Sequence, residues 1–248
     1  MIGTATGWYV YGVAEQQDGL AAVARLVGRG RLAALVAEVP LDEYSEETLR
    51  ERLNDRAWLE EKARAHEEVL QAAAEIAPVV PLRFGTIYDE LADVERLLDT
   101  RGPSFESALE RVRGRVELGV KAWADPSRLA AAIGGGDPAG EEPSGRAYLQ
   151  RRQREQRLAA EVAARSAELG EDAHRRLLAA VVDGVANRPQ PRELTGRDEP
   201  MILNGAYLVP AGDDALRTEV ERLAAEHEPL GITYEVTGPW PPHNFVET

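Results

Sequence analysis

The sequence predicts an α+β protein made of two α+β domains joined by a helical and linker region. Three observations carry that expectation. Strand-like runs alternate with helix-like periodic runs along the 248 residues, with few strands in each half. The stretch Gly134 to Gly145, GGGDPAGEEPSG, is the strongest linker signal in the chain. The length suffices for one large domain or two ordinary ones. The expected division is residues 1–133, a flexible linker at 134–145, and residues 146–248.

Each element has its own reason. Trp8 to Glu15, WYVYGVAE, alternates aromatic and valine side chains and reads as a strand. Leu32 to Val39 reads as a second strand ending at Pro40, and the glycine-broken segment between them is too short for a long helix. Ser45 is placed to cap a short helix through Leu53. Asp55 to Ala77 is the clearest helix, because Leu59, Ala63, His66, Leu70, Ala73 and Ala77 form one stripe spaced alternately four and three apart. Pro78 stops it, and VVPLRFG follows as a strand with Arg83 on the face opposite Val80, Leu82 and Phe84.

The spacing then predicts a helix over Tyr88 to Leu98, ended near Gly102, and another from Ser104 to Arg113. Arg115 to Ala124 is a strand, and Asp125 with Pro126 opens a short helix. Beyond the linker, Arg146 to Gly170 is a long helix whose first half carries five arginines and one glutamate. Asp172 to Ala186 reads as a further helix packed through Leu178, Val181 and Val185. Met201 to Val209 is apolar on both faces and reads as a central strand. Asp213 to His227 is a helix, and the last strand puts Ile232, Tyr234 and Val236 on its inner face.

Composition excludes several classes. Hydrophobic residues make up 44% and charged residues 29%, a globular balance. Cysteine is absent, which rules out disulfides and cysteine-ligated metals and fits a cytoplasmic location. No apolar window of about 18 residues exists to span a membrane, and the N-terminus lacks a signal-peptide pattern. A net charge of −14 opposes general nucleic-acid binding.

The candidate chemistry is sparse. No HExxH, GxSxG or phosphate-loop pattern is present. His66 sits inside an apolar stripe and reads as a structural core histidine, while His174, His227 and His243 have no ligand-type spacing. Arg83 reads as an arginine paired across the sheet with a helix carboxylate, or as an anion clamp; with His66 and Phe84 it is assigned a structural role. Catalytic, cofactor-binding and metal-binding residues are not assigned. Two features remain as partner-binding candidates. Arg151, Arg152, Arg154 and Arg157 line the basic half of the long helix. Trp240, Pro241, Pro242 and Phe245 form a rigid, aromatic tail that either pins the last strand or docks on another protein.

Taken in order, WYVYGVAE, ALVAEVP, HEEVL followed by PVVPLRFGTIYDE, VELGVKAW, NGAYLV and TGPWPPHNFVE resemble gas vesicle proteins F and L from Trp8 to Glu247. PLRFGT and TGPWPP at this separation carry most of the signal. The tail departs from the family's usual PPYSF, since His243 and Asn244 replace tyrosine and serine. The resemblance implies that the second domain is a modified ferredoxin-like fold. It implies a non-enzymatic accessory protein for gas vesicle assembly, located in the cytoplasm and at the vesicle. Its implied partners are the small hydrophobic shell protein and other accessory proteins. Two other classes stay open: a small-molecule enzyme or sensor with a pocket near Arg83 and His66, and a scaffold that self-associates through its long helix.

Overall fold

A computed structural model describes residues 5–44, 48, 52, 55–134 and 145–246. Of the helix expected from Ser45 to Leu53, Thr48 and Arg52 are described and both are helical; its other residues, and residues 135–144 of the expected linker, lie outside them. The chain falls into two units, one running up to Val116 and taking in the tail from Trp240, the other Glu117–Pro239. The division therefore lies at Val116 and not in the glycine-rich stretch. The physical reason is strand pairing: the strand that starts at Arg115 is hydrogen-bonded into the second sheet and carries the chain across.

In the first unit the strands are β1 (Thr6–Glu15), β2 (Arg25–Arg29), β3 (Leu32–Pro40), β4 (Val79–Pro81) and β5 (Ile87–Tyr88), in the order β2-β3-β1-β4 with β5 also on β1. The β1 pairings with β3, β4 and β5, and the β2–β3 pairing, are antiparallel. β2 was not expected. It forms a hairpin with β3 through Gly30, whose φ of 59° suits a residue without Cβ. Helix α1 (Arg56–Ala74) packs on β1 and β4. Helix α2 (Leu91–Val112) packs on β1, β2, β3 and β4. Asp55 caps α1 by accepting from the Trp58 amide at 3.2 Å.

Two core clusters lie in this unit, and the parity of β1 is broken between them. Val10 and Val13 pack with Val94, Leu98, Phe105 and Leu109 of α2, whereas Ala14 packs with Leu70 and Ala73 of α1. A regular strand puts residues three apart on opposite faces. The β1–β3 register slips between Val10 and Gly12, so Tyr11 is the extra residue of a bulge and Val13 returns to the face of Val10.

α2 is one helix where two were expected. It runs through Gly102 and Pro103, although proline lacks the amide for the intrahelical bond. Val94, Leu98, Phe105, Leu109 and Val112 are all buried, at spacings of four, seven, four and three. The stripe stays in phase across the proline, and its burial outweighs the local break.

The second unit contains β6 (Arg115–Ala124), α3 (Pro126–Ile133), α4 (Gly145–Leu178), β7 (Asp183–Ala186), α5 (Arg192–Thr195), β8 (Met201–Pro210), α6 (Ala215–His227) and β9 (Ile232–Trp240). The sheet order is β7-β8-β6-β9, which places β8 between two neighbours as its apolar faces require. Asp125 caps α3, accepting from Ser127 N at 2.8 Å and Arg128 N at 3.2 Å.

The expected helices at 146–170 and 172–186 are replaced by continuous α4 followed by β7. Val162, Leu169, Ala173 and Leu177 form one buried stripe that ignores the glycine. Gly170 serves a close approach: a Cβ there would stand 2.3 Å from the Ile202 carbonyl oxygen of β8. Leu178 and Val185, expected in a helix core, are 39% and 38% exposed beside and on the edge strand β7.

Candidate docking face

The side of the first sheet that faces α1 carries an aromatic cluster. Tyr9 and Tyr11 stand next to each other on β1, ring centroids 4.8 Å apart. His66 of α1 packs edge-on to Tyr9 at 5.7 Å and lies 5.7 Å from Tyr11. Phe84 lies edge-on to both His66 (5.8 Å) and Tyr9 (6.4 Å). Tyr44 extends the cluster from Tyr9 toward Trp58. Such edge-to-face pairs add about 0.5–1.5 kcal/mol each beyond area burial. Tyr9 and His66 are buried, whereas Phe84 is 37% exposed.

A hydrogen-bond chain fixes the loop that carries Phe84. The Gly85 amide donates to Tyr9 Oη at 3.1 Å, and the same hydroxyl meets His66 Nδ1 at 2.9 Å. A hydroxyl proton donated to Nδ1 puts the imidazole proton on Nε2. Nε2 is buried without a partner at full hydrogen-bond geometry, and the nearby Leu82 backbone favours a proton on the ring. Burial, then the neighbouring His243, pushes the His66 pKa below its ordinary value, so the ring stays neutral. Burial pushes the Tyr9 hydroxyl up to about 12.

The same helix-to-strand clasp recurs in the second unit. His174 Nδ1 of α4 meets Tyr207 Oη of β8, and His227 Nδ1 of α6 meets Tyr234 Oη of β9, each at 2.8 Å. Burial lowers both histidine pKa values and raises both tyrosine ones. A pH dependence follows. Histidines with depressed folded values contribute stability that is complete above 6.5, their ordinary value, and is lost as pH falls through the folded ones. Tyrosines with raised folded values contribute stability that is complete below 10.0 and is lost as pH rises through the folded ones. Urea midpoints are therefore expected to hold a plateau between about pH 6.5 and 10. The acid limb becomes shallower in His66→Gln; an unchanged acid limb contradicts the assignment.

The tail enters the first unit beside this cluster. His243 Nε2 lies 3.0 Å from Glu67 Oε2, one residue along α1 from His66. Pro241, Pro242 and Phe245 are buried, Phe245 to 4% exposure, and Val246 packs on the α2-side core. Trp240 keeps 38% exposure. Among the described residues of this unit, Phe84 and Trp240 are the exposed large hydrophobic side chains. The burial of Pro241, Pro242 and Phe245 fits the pinning alternative for these three residues and leaves Trp240 as the exposed ring of the tail.

Arg83 also differs from its expected place. β4 ends at Pro81, so Arg83 sits exposed in the turn before β5 and not across a sheet. Its carbonyl accepts from Thr86 N at 3.1 Å and from Thr86 Oγ1 at 2.7 Å. Among the described residues its guanidinium has no carboxylate partner. In the second unit, every residue from Tyr148 to Arg157 on α4 is exposed, including Arg151, Arg152, Arg154 and Arg157. Arg151 Nε pairs with Glu155 at 3.0 Å along the helix.

Residues 7–247 match the family model described as gas vesicle synthesis protein GvpL/GvpF. The chain belongs to the GvpL/GvpF family. It is 37% identical to gas vesicle protein L of Streptomyces sp. (strain CB03234), over 96% of this chain and 92% of that relative. Gas vesicle protein F of the same strain is 28% identical, over 96% of this chain and 99% of that relative. The fold is similar to the crystal structure of GvpF from Anabaena sp. PCC7120, with a TM-score of 0.70 at 17% identity, covering 98% of this chain and 97% of that one. GvpF from Microcystis aeruginosa gives 0.66 at 18% identity, covering 98% and 99%.

As a GvpL/GvpF chain, the protein is a gas vesicle accessory protein. No helix among the described residues is long and apolar enough to cross a membrane. Two clefts are lined by described residues, and neither includes His66 or Arg83. One, of about 460 Å³, lies between charged side chains of α4 and α6, including Arg165, Asp172 and Glu226. The other, of about 180 Å³, is lined by Glu15, Arg31 and Arg113. Glu15 accepts from Arg113 at 2.7 Å and Arg31 at 2.5 Å, and both hold its carboxyl below the usual range. Sequence reading missed Tyr9, Tyr11, Tyr44, Trp58 and Glu67 as members of the face. Only the alternating aromatics of β1 signalled any of them.

Proposed function

We propose that this GvpL/GvpF member assists gas vesicle assembly by binding the hydrophobic shell subunit through the Phe84–Trp240 face of its first unit. The observation that carries the reading is that Phe84 and Trp240 stay exposed while Tyr9, His66, Pro241, Pro242 and Phe245 of the same unit are buried. Rings held in place by buried neighbours lose little entropy on docking, and aromatic anchors dominate interface energy. Arg83 and His243 supply a polar rim. Pro241, Pro242 and Phe245 fix the position of Trp240. Arg151, Arg152, Arg154 and Arg157 on α4 serve contacts with other vesicle proteins, and the protein acts in the cytoplasm and at the vesicle without making or breaking bonds.

Two finer assignments accompany this reading. The greater identity to the L relative than to the F relative of one strain supports an L-type role. The element series β6-α-β7-β8-α6-β9 with sheet order β7-β8-β6-β9 supports a modified ferredoxin-like second unit, with α3 and the long α4 as the modification. The test is co-expression with the shell protein. The shell subunit is expected to stay in the soluble fraction and to be captured by the tagged chain. Shell protein that pellets equally with and without the chain contradicts the reading.

A further inference from the structure

We infer that the basic half of α4 docks on the acidic face of α1 in a second copy of the chain, which gives a salt-sensitive, head-to-tail self-association. The inference stands apart from shell binding and uses a different surface.

The first observation is the arm. From Tyr148 to Arg157, ten consecutive helical residues are exposed, with Tyr148 at 63% and Leu149 at 60%. An arm with no buried side chain lacks the packed stripe that stabilises most helices. Residues 146–157 hold five arginines against one glutamate, in a chain of net charge −14. The complement of the arm is therefore abundant on the chain itself, at its own concentration.

The second observation is on α1. Glu61, Glu68 and Glu75 are exposed and lie one heptad apart, on one face. Among the described residues none of the three has an ion-pair partner. Arg64, exposed between the first two, makes no ion pair there either. Glu75 is the C-cap of α1, where the helix dipole disfavours a carboxylate. A cationic partner relieves that repulsion. Glu61, Glu68 and Glu75 follow one another at about 10.5 Å along the helix, and Arg151 to Arg157 spans about 9 Å, so the arm reaches two of the three carboxylates at once.

Two arms repel each other, so the contact joins unlike surfaces. A heterologous contact continues from copy to copy unless the rotation closes a ring. Sedimentation velocity of the full chain over a concentration series tests this. In low salt the weight-average mass is expected to rise with concentration, and in 1 M salt, where the screening length is about 3 Å, it should fall to the monomer. Arg151→Glu with Arg154→Glu and Arg157→Glu, or Glu61→Lys with Glu68→Lys and Glu75→Lys, should each weaken association at least tenfold. Combining both sets should restore it, and circular dichroism checks that each variant is folded. A wild-type monomer at every concentration in low salt overturns the inference. So does association that survives either reversal, or a combined variant that fails to recover.

Discussion

Gly170→Ala is expected to destabilise the second unit by about 1–3 kcal/mol, the range of an overpacked core site. Helix propensity alone gives the opposite sign, since alanine in a helix interior is favoured over glycine by about 1 kcal/mol. The geometry decides. The added methyl would meet the Ile202 carbonyl oxygen at 2.3 Å and its carbon at 3.1 Å, and both atoms belong to the backbone of β8. A strand pinned by its ladder does not yield as a flexible side chain would, so α4 must lift from the sheet. Thermal unfolding followed by circular dichroism checks this; for a chain this long each 1 kcal/mol lowers Tm by about 2–4 °C. A variant as stable as wild type, or more stable, shows that the helix does not sit so closely on β8.

The second large effect separates neighbouring tail residues. Phe245→Ala is expected to cost about 3–4 kcal/mol, as for other buried phenylalanines, because only 4% of its surface meets solvent. Trp240→Ala should cost much less stability, since 38% of its surface is exposed. Binding should show the reverse order, with Trp240→Ala impaired at temperatures where both variants are folded. Equal stability losses would remove the distinction between tie and anchor.

Much of this architecture was legible in sequence, and the failures share a cause. α1 and α3 announced themselves by their apolar stripe and capping residues, and β1, β3, β8 and β9 by apolar runs bounded by turn residues, although the burial of β1, β3 and β8 does not alternate. Gly102–Pro103 and Gly170 misled because local break signals were read without the buried stripe on either side. In α2 that stripe runs from Val94 to Val112, and in α4 from Val162 to Leu177. β7 was hidden because Val182 and Val185, apolar residues suited to a helix core, are exposed at 47% and 38%. The bulge at Tyr11 left no local mark. The site was half legible. TGPWPP marked the tail, but which of its rings is buried depends on contacts with α1 and the α2-side core. The Tyr9–His66 clasp joins residues 57 apart in sequence, beyond any local pattern.

The central claim is that the Phe84–Trp240 face grips the shell subunit. The most direct measurement is the affinity of the purified chain for that subunit, comparing wild type with Phe84→Ala/Trp240→Ala and with Leu178→Ala/Val182→Ala as a control on the second unit's exposed aliphatics. The account predicts that the aromatic pair loses on the order of several hundred-fold in Kd, as two anchor residues of about 2 kcal/mol each would, while the control binds as wild type. A folded aromatic double variant that binds the shell subunit with unchanged Kd would contradict it.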